Sequence, residues 1–501
     1  MTAGNVVWAM GAAVIGVALM VLLDNNPAML VVLPLLALAF AAMVRLPAAT
    51  LLHVVLFVAL LLDNTTERPG RNLFHTPLHA PGALLYETLS KSLHLPIKFT
   101  GLQLLVLLIF TIVGVRSMFS PKVPGQHKSI AQPVVQFCLI AMVDLLAMLI
   151  WGLGRGGQIN YAIVQMQTMF FVPVMTLLFA LCFKSTRDVK RLLSTFVAVG
   201  FFRALLCIYY WITVVRHLAS DGGGEGGDGT YVTTHSDSIL AAVAVLICML
   251  RIYQLPRIRS YLQAAMILPV VGLGIIANNR RIAFVAIALG FFFSYVAAPS
   301  AFKRRVHQTA LALMPLLILY VGAGWNAHGG WAKPVQSLRS VVEQKDASSE
   351  TRDIENYNLL QTLKVGAVAG SGFGHKYREL VKAYDISGIF EAYRYVPHNS
   401  VLWFWSAGGL LGFTFYWMFV SVGVFTAARV VRVSQNLHER TLGMVAICSV
   451  AAWGAQSFGD MGLMSWMGGL IVASSLGTTA AVAAQNGAWG RVLTSTDRDP
   501  L

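Results

Sequence analysis

The sequence is poor in charge. Of its 501 residues only 12% are Asp, Glu, Lys or Arg, about half the fraction usual in a soluble domain. Acidic residues are scarcest, 22 against 37 Lys and Arg, for a formal net charge of +15. Short segments alternating apolar and polar residues are absent, which speaks against a transmembrane barrel. The five cysteines (Cys138, Cys182, Cys207, Cys248 and Cys448) all fall in apolar runs and never form CxxC. They read as small core residues, not as disulfides or metal ligands. HExxH, DxD and paired carboxylates are missing from the segments expected at the outer face, so no metal or other cofactor is expected. No tandem repeat of roughly 20–50 residues is found. No cleavable signal pattern precedes the first apolar run, which reads as a first span.

Apolar residues make up 56% of the chain, and the mean hydropathy is +0.67. Apolar windows of about 18 residues or more recur, each long enough to cross a hydrocarbon core of roughly 30 Å. Backbone polar groups in lipid must be satisfied internally, so these windows predict continuous helices. The expected fold is an all-α polytopic membrane protein with about 12–14 transmembrane helices and one large periplasmic loop. Spans are expected at 5–23, 28–44, 48–62, 98–116, 133–153, 161–183, 192–214, 237–254, 260–277, 283–299, 308–324, 400–428, 441–457 and 463–484.

The positive charge sets the orientation. Lys184, Arg187, Lys190 and Arg191 lie in one short loop, Arg251, Arg257 and Arg259 in a second, and Lys303, Arg304 and Arg305 in a third. Arg116, Lys122 and Lys128 precede them, and Arg429, Arg432 and Arg440 follow. Every second loop is basic, which predicts that these loops and both termini are cytoplasmic. The charge is thus a topology signal, and no nucleic-acid partner is expected. The domain organisation reads as N-terminal helices (1–190), central helices (191–324), a periplasmic cap loop (325–399), C-terminal helices (400–484) and a cytoplasmic tail (485–501).

Three outward segments are long. Residues 63–97 are polar, and 215–236 contain the flexible run DGGGEGGDG. Residues 325–399 carry nine Lys or Arg and eight Asp or Glu, a balance that suits a folded cap. Within it, 351–368 reads as an amphipathic helix with Ile354, Leu359, Leu360 and Leu363 near one face. GSGFG (370–374) breaks that helix, and YRELVKAYD (377–385) reads as a second short one.

Several constellations could carry chemistry. His398 and Asn399 open a span at its outer end, and Gly408, Gly409 and Gly412 follow. The glycines would let a helix or a lipid chain approach closely. A histidine there can take a proton from a hydroxyl, or it can simply anchor the helix start. Arg280 and Arg281 stand at an outward span end, against the positive-inside bias. Adjacent guanidinium forks suit a diphosphate, with Asn278 and Asn279 as extra donors; the bland alternative is snorkelling to lipid phosphates. The cap adds Arg352, Arg394 and a turn in which Gly372 and Gly374 flank Phe373; with no lysine–serine pair following it is no P-loop, and by itself it reads as a structural turn against the bundle. Asp144 and Arg203 sit mid-span and are expected to pair with each other or to line a polar cavity, an ion pair being the first choice and substrate contact the second. His235 and Asp237 enter the 237–254 span from outside, and Asp460 is a weaker candidate at another outer end.

The pattern H-N, nine residues, G, two residues, G at 398–412 resembles the signature of bacterial O-antigen ligases and O-antigen polymerases. GSGFG resembles the G-x-G-F-G of their large outward loop, Thr351-Arg352 the S/T-R before it, and Arg280 their upstream arginine. The likeness covers roughly 190–480. Where that family often has S-R-G, this chain has Asn279-Arg280-Arg281, so both arginines carry the expectation. The resemblance implies a metal-independent, inverting glycosyltransferase of GT-C-like architecture in the bacterial inner membrane. Its donor would be an oligosaccharide on undecaprenyl diphosphate, and its acceptor a glycan or lipid A-core. It also implies His398 and Arg280 as catalytic residues and Arg280, Arg281, Arg352 and Arg394 as diphosphate ligands. Asn399, Gly409, Gly412, Gly372, Gly374, His235 and Asp237 would be supporting. Besides membrane lipids, a chain-length regulator or export complex is an expected partner. Polymerisation of exopolysaccharide or O-antigen is favoured over ligation because the chain is longer than a minimal ligase. A flippase or transporter is the competing class, but the polar features gather at the outer face, not at broken helices near the midplane. A purely structural membrane partner would leave the outward arginines unexplained.

Overall fold

The computed structural model describes residues 45–64, 78–92, 99–119, 130–215, 232–278, 280–327, 347–382 and 390–489, with scattered positions at 330–339, 385 and 387. The first two expected spans, much of 63–97, the DGGGEGGDG run, Asn279 and the tail beyond 489 lie outside the described residues.

The chain is an all-α polytopic membrane protein. Twelve apolar helices match the twelve expected spans from 48 onward. They are α1 (Ala48–Leu61), α2 (Gly101–Phe119), α3 (Gln132–Gly154), α4 (Ile159–Cys182), α5 (Thr186–Tyr210), α6 (Asp237–Gln254), α7 (Ile258–Asn278), α8 (Arg281–Ala297) and α9 (Ser300–Gly324). After the cap helix α10 (Ala347–Val365) come α11 (Ser400–Val433), α12 (Leu437–Gly459) and α13 (Trp466–Gln485). Among the described residues nine helices are long and apolar enough to cross a membrane; α1, α2 and α8 are apolar but shorter in their described part.

Local chemistry starts several of them. At α5 the Ser185 hydroxyl accepts from the Asp188 N–H while the Asp188 carboxylate accepts from the Ser185 N–H, a reciprocal capping box. At α13 the Ser465 hydroxyl accepts from the Gly468 N–H. Helix α13 is buried almost all round at the centre of the bundle. Its polar residues are tolerable there because Ser474, Ser475, Thr478 and Thr479 donate to carbonyls four residues back. Gly477 lets α4 come close: a Cβ there would lie 2.3 Å from the Thr176 carbonyl oxygen. By contrast α9 is peripheral, with Leu311, Leu316 and Leu319 exposed to the surroundings.

The loops segregate. At one end the basic loops meet: Thr441 donates to Gln254, and Arg305 to the Tyr253 carbonyl. At the other end, among the described residues, the segments at 235–236, 460–465 and 157–158 gather with the cap and the start of α11. The positive-inside pattern therefore separates two real ends of the bundle. All five cysteines are free.

Two expectations are corrected. Asp144 and Arg203 do not pair. Helix α3 packs on α4 and α11, whereas α5 packs on α6, α7 and α1. Arg203 instead meets Asp237 at 3.0 Å and Asp63 at 3.4 Å. Residues 377–382 form no helix. They run along α10, where the buried Asn358 side chain accepts from the Leu380 and Val381 N–H groups and donates to the Val381 carbonyl. Side-chain partners on α10 thus replace a helix's own ladder.

Candidate functional site

The buried face of α10 is mostly polar. Glu355, Asn358, Leu359 and Thr362 point inward, at helical spacing i, i+3, i+4 and i+7, while Leu360 is exposed. Of the expected apolar stripe, Leu359 is buried, Ile354 and Leu363 are half-buried and Leu360 is exposed, and polar residues fill most of the inward face. Its first member, Glu355, is the acidic partner of His398. The His398 Nδ1 lies 2.9 Å from the Glu355 carboxylate, and the His398 N–H donates to the same group at 3.3 Å. The carboxylate is almost completely buried, while the imidazole keeps 30% of its surface open. Burial opposes a charged ring here, but the Glu355 carboxylate outweighs it and raises the His398 pKa above its ordinary 6.5.

Next in sequence, Asn399 serves the helix. Its side-chain oxygen accepts from the Leu402 N–H as the N-cap of α11, and its amide donates to Asn356 on α10. Ser400 then donates to the carbonyls of Ser457 and Asp460. This brings the turn between α12 and α13 beside His398. There Asp460 forms a second dyad, with its carboxylate 2.6 Å from Nδ1 of His235. His235 arrives on the segment before α6, which Asn278 fixes by accepting from the Thr233 N–H. Asp237 is held by Arg203.

Two arginines complete the cluster. Arg280 is the N-cap of α8, and Arg281 is that helix's first residue. The charges of Arg280 and Arg352 both bear on His235. Burial and these two charges together outweigh Asp460 and lower its pKa. Arg352 also bears on His398. The Asp460 carboxylate is held well below the usual range: burial opposes its charge, but His235, His398 and the Met461 N–H outweigh it. Four loop regions thus bring two arginines and two histidine–carboxylate dyads to one end of the bundle. A small cleft lies near His235 between α5, α6 and α7, lined by Arg203, Thr233, Asp237, Ser238 and Asn278.

Arg394 does not join. It pairs with Glu379 at 2.9 Å and lies over the Tyr393 ring. The glycines serve a close helix approach and a tight turn against the bundle. Gly409 breaks α11 with φ +60, and GSGFG fills the break. Leu410 and Leu411 N–H groups donate to the Ala367 and Val368 carbonyls, and the Gly372 N–H to the Ala407 carbonyl. Gly370, Gly372 and Gly374 all have positive φ, which glycine adopts without strain. A Cβ at Gly412 would lie 2.7 Å from the Met148 sulfur, and one at Gly372 2.4 Å from the Gly152 Cα. The space after His398 is filled by protein, so it leaves no room for a lipid tail.

Sequence reasoning missed Glu355. The available signal was its spacing with Asn358 and Thr362, three polar residues on one helical face. Asp460 was underweighted because nothing in the sequence ties it to His235. Among the described residues no group of three or more His, Cys, Asp or Glu stands close enough to hold a metal ion. A comparison with protein-family models finds no matching family, and a comparison with curated proteins finds no relative.

Proposed function

We infer that the protein is an inner-membrane glycosyltransferase that polymerises undecaprenyl-diphosphate-linked oligosaccharide repeats into O-antigen or exopolysaccharide on the periplasmic side. The observation that carries this reading is the clustering of Arg280, Arg352, His398–Glu355 and His235–Asp460 at one end of the bundle. A diphosphate leaving group needs positive charge close by and little water, because such electrostatic terms are often the largest. Arg280 and Arg352 supply that charge, and the N-terminus of α8 adds its dipole. The acceptor hydroxyl needs a base. His398 is oriented through Nδ1 by Glu355, so its Nε2 serves that hydroxyl.

The step is a single displacement. The acceptor oxygen bonds to the anomeric carbon as its proton passes to His398. The bond from that carbon to the phosphate oxygen breaks, and its electron pair stays on the diphosphate. Configuration inverts. The test is incubation of purified protein in liposomes with a lipid-linked repeat, with and without lipid A-core. Laddered products without lipid A-core support the polymerase. Transfer only when lipid A-core is supplied assigns a ligase, and no transfer in either arm overturns the reading.

A further inference from the structure

His235 is more elaborately held than a helix-start histidine requires. The Thr233 N–H is bonded to Asn278, two residues before Arg280. The Ser236 hydroxyl contacts Ser465 and Gln456, and Asp237 is clamped by Arg203. These contacts hold the ring against Asp460 at 2.6 Å, within reach of the charges of Arg280 and Arg352. His398 differs: it has its own carboxylate, Glu355, and of the two arginines only Arg352 bears on it. The two dyads are thus distinct in surroundings although alike in chemistry.

We propose that His235, seated on Asp460, is the third cationic ligand of a diphosphate bound at Arg280 and Arg352, and that binding this anion brings a proton onto its ring. This rests on the reading of the cluster as a diphosphate site. With the site empty, burial and the two guanidinium charges hold the ring neutral against Asp460. A bound diphosphate cancels the arginine repulsion and adds attraction of its own, while Asp460 stays in place. The ring then gains a proton from solvent and donates to a phosphate oxygen, a charge-assisted hydrogen bond. His398 has its own carboxylate in Glu355 at 2.9 Å, so the two rings are told apart by substituting each in turn. A division of labour follows: Arg280, Arg352 and His235 hold the leaving group, and His398 faces the acceptor.

The experiment is calorimetric titration of the full-length protein in detergent with farnesyl diphosphate, near pH 7.5, in two buffers of different ionisation enthalpy. The native protein is expected to take up about one proton per diphosphate. His235→Gln is expected to abolish the uptake and weaken binding by roughly 10- to 100-fold. His398→Gln is expected to keep the uptake. The native protein alone gives a second check: its affinity should fall about tenfold per pH unit while the empty site is neutral and the bound form keeps its proton, and level off once the bound form loses it. If Arg280→Ala and Arg352→Ala weaken binding while His235→Gln leaves affinity and uptake at native values, this proposal is overturned and the site reading stands. If neither arginine variant changes binding, the site reading itself fails.

Discussion

Replacing Glu355 with Gln tests how the His398 dyad works. The substitution keeps the shape and one acceptor oxygen but removes the charge. In the native protein this carboxylate meets Nδ1 at 2.9 and 3.2 Å and the His398 N–H at 3.3 Å. With the carboxylate only 3% exposed, solvent screens it little. A hydrogen bond to such a charged group contributes about 1.5–3 kcal/mol, or roughly 10- to 150-fold in a step that depends on it. Gln retains part of the bond, so a loss near tenfold is expected at neutral pH. The sign of the pH effect is fixed. Glu355 raises the His398 pKa against burial and Arg352, so removing its charge lowers that pKa. The acidic limb of the rate profile, where the base becomes protonated, should move to lower pH. Stability should follow the same linkage. The native dyad's contribution is full below the ordinary imidazole value of 6.5 and is lost as pH rises through the raised one. Initial rates of glycan transfer in liposomes and thermal unfolding, both from about pH 5.5 to 8.5, read the two effects. An unmoved acidic limb with a native rate would refute the role given to Glu355.

Other substitutions probe the frame around the site. Gly409→Ala adds a Cβ 2.4 Å from the Val368 carbonyl oxygen at a residue with φ +60; backbone strain alone costs about 1–3 kcal/mol, so the unfolding temperature in detergent should drop by several degrees. Arg203→Met leaves Asp63 and Asp237 buried without their cation, a loss of about 3–5 kcal/mol, and an unchanged melting curve would contradict the triad. Asn358→Ala orphans three backbone groups of Leu380 and Val381, each costing about 1–3 kcal/mol; limited proteolysis should cut near 380 in the variant and spare the native cap.

The helices were legible because a hydrocarbon solvent leaves the chain few choices: from 48 onward, apolar length alone marked each span. Orientation signals were legible for a similar reason, since basic loops collect at one end. What the sequence hid was pairing across helices. Arg203 and Asp144 shared a depth in the sequence, but α5 and α3 are not neighbours, and Arg203 found Asp237 and Asp63. YRELVKAYD has helical composition, yet Asn358 and Thr362 supply partners that hold it irregular. Of the functional candidates, Arg280, Arg352, His235 and His398 come together and Arg394 does not. Their carboxylate partners, Glu355 and Asp460, lie 43 and 225 residues away in the chain, too far for a local pattern to reveal. The glycines of 398–412 were legible as a signature but not as a joint, because the loop that fills the break at Gly409 comes from the cap.

The most direct test compares native protein, His398→Ala and Arg280→Ala in the same liposomes, with folding checked by size-exclusion and thermal unfolding. The measured quantity is the initial rate of glycan transfer from a lipid-linked repeat. Loss of a general base or of a positioned charge costs on the order of a hundredfold or more, so both variants should fall to background while remaining folded. Native-rate polymer from either folded variant would contradict the account.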